Sequence, residues 1–234
     1  MQGYGRICLA RLRRHGRDCY VGAVPSPVGH LIAGAAIAWA AEFFQPLRSS
    51  AQGAAGPSAP LPIVTPLVLA CAAFALAPDL DILLASHRTF THSVAAVASA
   101  AIACGVVARM LGAPGLATGI TCGLAVGSHI LLDWLGHDGT PPIGLMALWP
   151  LSSAFYYSGL DLFADVSRRY WQPDEFIFKN AISVARELLI LAPVAALAWG
   201  ARRRRQGPAG RDRLVAHGLV TSDASSERRG SESS

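Results

Sequence analysis

The stretch PGLATGITCGLAVGSHILLDWL, residues 114–135, is apolar for most of its length and ends in a histidine and an aspartate. It is long enough to cross a bilayer as a helix, which takes about 20 residues. His129 and Asp133 are four apart, so on a helix they project from one face, one turn from each other. Ionisable groups at membrane depth are costly and are kept where something pairs with them or binds them. This stretch therefore reads as a membrane helix with an interior site at its end.

Three other islands interrupt the chain in the same way: Gly29-His30, Asp79-Leu80-Asp81 and His87-Arg88-Thr89-Phe90-Thr91-His92. The 234-residue chain is 52% hydrophobic and 15% charged, with a mean hydropathy of +0.38. A soluble domain carries about 25% charged residues. The deficit predicts an all-α, polytopic membrane bundle. The net charge of +5 lies mostly in the two tails and bears on topology, so no nucleic-acid partner is expected. Arg202 to Arg205, at the end of an apolar segment, read as a topogenic or lipid-contacting run. Cys8, Cys19, Cys71, Cys104 and Cys122 form no CxxC pair, three of them lie inside apolar stretches, and they read as small buried hydrophobes rather than a disulfide framework or a thiolate metal site.

Residues 1–24 are basic and irregular and lack the apolar core of a signal peptide. They read as an extension, and Val24 is a candidate start, since bacterial genes can initiate on a valine codon. Apolar segments follow at 28–44, 62–84, 93–111, 114–135 and 181–200. About five membrane-embedded helices are expected, rich in the Ala and Gly that let helices approach closely. A four-helix core with the His/Asp site covers 25–135 and an interfacial cap 136–180. A fifth helix with a basic end covers 181–205 and a disordered tail 206–234. Ser49 to Pro60 reads as a loop. Trp149, Phe155, Tyr156, Tyr157, Tyr170 and Trp171 suit a cap lying at the interface.

With the N-terminus on one face, called A, threading the helices in order returns all four islands to face A. His30 starts the first helix, Asp79 and Asp81 end the second, His87 and His92 start the third, and His129 and Asp133 end the fourth. An extended Asp79-Leu80-Asp81 would point both carboxylates the same way. Thr91 and Ser93 are placed to orient ligands from behind. His and carboxylate together suit a divalent metal. A purely structural network, with Asp133 on Arg88, is the alternative. His137 and Asp138 read as solvated. Asp161, Arg168, Arg169, Asp174 and Glu175 read as surface charges of the cap, and His15 and His217 receive no role.

Pro25-Ser26-Pro27-Val28-Gly29-His30, Ala77-Pro78-Asp79-Leu80-Asp81, His87 to Ser93, Ser128 to Asp133 and Leu148-Trp149-Pro150-Leu151-Ser152 resemble the YdjM-like inner-membrane proteins over about residues 25–155. That family is described as membrane-bound, metal-dependent hydrolases and sometimes as LexA-binding. The resemblance implies a multi-pass protein of the bacterial inner membrane with a His/Asp metal site.

The expected ligand set is His30, Asp79, Asp81, His87, His92, His129 and Asp133, holding Zn²⁺, or Mn²⁺ or Fe²⁺. Asp81 or Asp133 is the expected general base, and Arg88 the expected contact for an anionic group. The expected reaction is hydrolysis of a phosphoester or ester in an amphiphilic, lipid-linked substrate, with membrane lipids as partners. A metal-binding transporter and a scaffold with a structural metal are the rival readings. Five arginines in residues 1–24 favour a cytoplasmic face A, whereas Arg202–Arg205 favour a periplasmic one.

Overall fold

The computed structural model describes residues 25–45, 61–84, 88–139 and 141–206. Helix α1 spans Pro27–Phe44, α2 Pro66–Leu76, α3 Val94–Met110, α4 Gly115–Leu135 and α5 Pro173–Gln206. The extension 1–24, the loop 49–60, His87 and the tail from 207 lie outside the described residues.

Local chemistry sets the helix starts. Ser26 and Thr65 are N-caps whose side chains accept the Gly29 and Val68 N–H, and Pro27 and Pro66 follow them. Proline is favoured there because its missing N–H would have no helical partner. Ser93 caps α3 by accepting from Ala96. The expected second segment, 62–84, divides in two. It is α-helix to Leu76 and 3₁₀-helix over Ala77–Leu84, and Pro78 breaks the α-helical bonding at the switch. The fifth helix starts earlier than expected, at Pro173, with Asp174 and Glu175 in its first turn. Carboxylates there oppose the positive end of the helix dipole. Residues 173–180, assigned to the cap from sequence, are therefore helix.

Helix α1 packs on α2, α4 and α5, and α4 packs on α2 and α3. Ala38, Val68, Cys71 and Ala125 make the centre where α1, α2 and α4 meet. Small residues make that approach possible: a Cβ on Gly34 would stand 2.6 Å from the Cys71 carbonyl oxygen. The outward faces are apolar, with Leu69, Ile102, Leu116, Leu124, Leu189 and Leu197 exposed. Helices α1, α4 and α5 are each long and apolar enough to cross a membrane. Lipid, not water, suits such a surface.

Polar clamps hold the two ends of the α1–α5 pair. At the start of α1 the fully buried Glu187 accepts hydrogen bonds from the Ser26 N–H, at 2.5 Å, and from the Ser26 hydroxyl. At its far end Glu42 pairs with the buried Arg202 (Nε–Oε2 2.6 Å) and accepts from Thr65 at 2.5 Å. Arg202 also donates to the Pro62 carbonyl at 2.9 Å. The two helices are thus antiparallel, and Glu187 and Arg202 sit fifteen residues apart, about 22 Å along the axis. Glu187 is accommodated within the apolar helix because it accepts at the start of α1.

Residues 136–139 and 141–172 form a cap with little regular structure. Leu145 and Tyr156 exchange backbone hydrogen bonds of 3.1 and 2.9 Å, His137 donates to the Phe163 carbonyl at 2.8 Å, and Phe163 packs on Ala33 and Leu132. Tyr170, Trp171 and Trp149 remain exposed, as side chains of a membrane–water interface do.

Removing one partner from a buried ion pair leaves an unpaired charge and costs about 3–5 kcal/mol. Arg202→Met is therefore expected to lower the detergent-solubilised protein's unfolding free energy by that order, while leaving metal content per folded molecule unchanged. Thermal unfolding with parallel metal analysis measures both.

Candidate metal centre

All the described islands converge at the face-A end of the bundle. Ligand atoms of Asp79, His92, His129 and Asp133 lie within 4.8 Å of one another. The His92 and His129 Nε2 atoms are 3.0 Å apart, and each is 3.3 Å from Asp133 Oδ2. Asp79 Oδ1 lies 3.6 Å from His129 and 3.8 Å from His92. Four ligands on a tetrahedral zinc with bonds of about 2.0 Å stand about 3.3 Å apart.

The surroundings settle which nitrogens face inward. His129 Nδ1 lies 2.7 Å from the Ala75 carbonyl oxygen, which only accepts, so Nδ1 carries the hydrogen and Nε2 a lone pair. Pro78 has no N–H to offer the Ala75 carbonyl as an i+3 donor where the α-helix gives way to 3₁₀-helix. His92 Nδ1 lies 3.2 Å from Asp81 Oδ2, which also accepts from Thr91 Oγ at 2.5 Å and from the Arg88 N–H at 3.1 Å. With both Nδ1 atoms donating, two Nε2 lone pairs point at each other beside a carboxylate. That array is repulsive until a cation or a proton enters it.

The burial of the centre sharpens the same point. His30, His92 and His129 are fully buried and Asp133 nearly so. Neither oxygen of Asp133 and neither ring nitrogen of His30 makes a hydrogen bond among the described residues. Buried polar groups are normally satisfied, and a cation in this array satisfies the carboxylate. The donor set, two imidazoles and two carboxylates, fits a divalent metal. The Asp79 side chain is 21% exposed while the other three are at 0–3%, so the centre opens past Asp79.

The remaining expected residues sit around this core. His30 stacks on His129, with centroids 3.8 Å apart, and puts Nε2 3.4 Å from the other oxygen of Asp133. Asp81 is not one of the four, and its Oδ2 meets His92 at the other ring nitrogen, Nδ1. In a 3₁₀-helix successive side chains turn by about 120°, so Asp79 and Asp81 diverge, against the expectation of an extended pair. Thr91 is placed to orient a ligand, as expected, since its hydroxyl donates to Asp81 and lies 3.0 Å from His92 Nδ1, whereas Ser93 caps α3.

Arg88 is turned from the centre: its guanidinium pairs with Asp138, not with Asp133. Asp138 is correspondingly buried rather than solvated, and accepts from the Gly144 N–H at 2.6 Å. Arg88 adopts a left-handed backbone (φ 64°), and its carbonyl accepts from Met146 at 3.1 Å, so the loop bearing His92 is tied to the cap. Asp161 and His137 are half-exposed and pair at 3.2 Å, apart from the centre. Sequence reasoning missed the Ala75 carbonyl and Asp138; Pro78 and the charge of Arg88 were the available signals.

His92 lies in the turn before α3. Burial disfavours its charged form, but the carboxylates of Asp133, Asp79 and Asp81 more than offset this and hold its pKa well above the usual histidine range. In metal-free protein this charge stabilises the fold below the unfolded histidine pKa of about 6.5. The contribution is lost as pH rises through the raised folded value. Metal-free protein is expected to melt at a lower temperature at pH 9 than at pH 6, with His92→Gln flattening the difference. Metal uptake, which displaces that proton, is expected to tighten over the same interval, and calorimetry in buffers of different ionisation enthalpy measures the proton released.

A family model described as "YdjM inner membrane protein" matches residues 26–208, most of the chain. No curated protein and no solved structure matches.

Proposed function

The chain belongs to the YdjM inner membrane protein family, and from that premise and the geometry of the centre we propose a membrane-bound, metal-dependent hydrolase. The observation that carries the reading is the convergence of four ligand atoms, those of His92, His129 and Asp133 buried and that of Asp79 part-exposed at the membrane face. Asp79, His92, His129 and Asp133 would hold a divalent cation, with Zn²⁺ favoured over Mn²⁺ or Fe²⁺ by two imidazole donors. Such a cation supplies a water of lowered pKa and a Lewis acid for a phosphoryl or carbonyl oxygen.

The chain's own groups do the rest. Asp133 is placed to accept a proton, and His30 Nε2, 3.4 Å from its second oxygen, to share it. Asp81 fixes the tautomer and ring orientation of His92. Arg88 enters as a positioning group through Asp138. Leu80, Phe90, Trp149 and Leu151 are exposed near this end. They favour an amphiphilic substrate, a phospholipid or another lipid-linked ester, whose polar bond reaches the mouth beside Asp79. Full burial of three ligands also supports a scaffold with a structural metal.

Chelation of the purified protein is expected to abolish hydrolysis of an amphiphilic phosphodiester or ester, and Zn²⁺ or Mn²⁺ to restore it. His129→Ala should lose metal and turnover together. Asp81→Asn should weaken metal binding about 10- to 100-fold. Turnover indifferent to chelation and to His129→Ala would sink the hydrolase reading. Metal-dependent stability without turnover on any such substrate would favour the scaffold.

The basic run Arg202–Arg205 lies at the end opposite the centre, beside Glu42 and Phe43. Cytoplasmic flanks are enriched in arginine, so the centre is read as periplasmic. A reporter fused after Ser234 is expected to be active only if it works in the cytoplasm; activity of a periplasm-only reporter there reverses the assignment.

A further inference from the structure

The three helices that bring the four ligand atoms together also enclose an apolar cavity. Asp79 follows α2, His92 precedes α3, and His129 and Asp133 end α4. Helices α2 and α3 each pack on α4 but not closely on each other. The space between them is a cavity of about 420 Å³. Leu67, Ala70 and Phe74 wall it on α2, Val107 on α3, and Thr118 and Cys122 floor it on α4. No charged side chain lines it, and its volume lies in the range of about 300–1,000 Å³ usual for small-ligand pockets. Val107 and Leu111 at its edge are exposed, so it is open to the apolar outer surface of the bundle.

Its depth fits the bilayer. Phe74, at one end, precedes Asp79 by five residues, about 9 Å of combined α and 3₁₀ rise. Pro66, at the other end, lies eight residues further down, about 12 Å. The floor agrees, since Cys122 precedes His129 by seven residues, about 10 Å along α4. Helix α4 is itself long and apolar enough to span. The hydrocarbon of one leaflet is about 15 Å deep, half of the bilayer core. The cavity therefore covers the depth of a lipid tail whose polar bond sits at the mouth beside Asp79.

We propose that this cavity is the seat of one acyl chain of the substrate lipid, an inference that rests on the hydrolase reading for what the chain is attached to. Lipid tails are as apolar as the cavity walls, so entry from the bilayer gains little hydrophobic free energy. What the cavity supplies is orientation. A chain held between α2 and α3 brings its ester or phosphodiester bond to the top of the same helices, where Asp79 and His92 stand. Holding a reacting bond in place lowers the entropic part of a barrier. The selectivity is for chain length, because a tail too short to pass Phe74 is not held.

The test uses the full chain, purified in detergent. Ala70→Phe on one wall and Thr118→Phe on the floor each fill the cavity, and Leu189→Phe on an exposed face of α5 is the control. Native mass spectrometry after incubation with dipalmitoyl phosphatidylglycerol reads occupancy without turnover. One lipid is expected to stay on the wild type and on Leu189→Phe, and to be lost from both filled variants. Turnover is compared on phosphodiesters with palmitoyl and hexanoyl chains. At unchanged metal content, the filled variants are expected to lose at least about tenfold in kcat/KM on the palmitoyl substrate and to keep the hexanoyl rate within about twofold. Absence of retained lipid on the wild type, retention by both filled variants, equal losses on both chain lengths, or a wild-type dimer that the fillings dissociate overturns the proposal. A wild type that turns over neither substrate sinks the hydrolase reading alone, and lipid retention then decides the cavity.

Discussion

Two imidazole nitrogens turned on each other, 3.0 Å apart and beside a buried carboxylate, so that a proton or a cation has to lie between them, are the constraint on which this structure depends. Nothing in an apolar bundle favours that arrangement for its own sake. It persists because the groups behind it are fixed. The Ala75 carbonyl holds one ring and Asp81 the other, and Thr91 and the Arg88 N–H hold Asp81. The free energy of folding is thereby tied to the occupancy of the centre, since a bound cation or proton relieves the repulsion that packing imposes.

The rest of the fold can be understood as keeping four helix ends in register. Helix α1 carries His30 and is held at both termini, by Glu187 at its start and by Arg202 at its finish. The α-helix gives way to 3₁₀-helix at Ala77, between the Ala75 carbonyl that meets His129 and Asp79 in the cluster. The Arg88–Asp138 pair anchors the loop before α3 to the cap. Each of these is a polar interaction shielded from water, where one well-made bond counts for more than at a surface and a missing partner costs more.

Much of this was legible in the chain. The apolar segments, their small residues, the prolines at helix starts and the spacing of His129 and Asp133 follow from bilayer thickness and helix period, which act on the chain locally. The common face of the islands follows from counting spans. Less legible was the division of labour among the acidic residues. Asp79 and Asp81 look alike in sequence, yet one joins the ligand atoms and the other holds His92 from behind, because the backbone there turns by about a third of a circle per residue. Arg88 and Asp138 are fifty residues apart, and no local pattern links them. Glu187 and its partner Ser26 are 161 residues apart, again with no local pattern to join them.

The sequence by itself determined a multi-helix membrane protein with His and Asp gathered at one face, because hydropathy, length and periodicity are properties of consecutive residues. Only the tertiary structure decided which four atoms converge, and which carboxylate joins them and which holds His92 from behind. Those outcomes depend on helix rotation and on contacts between distant segments, and a rotation of a few tens of degrees changes the partner without changing the pattern.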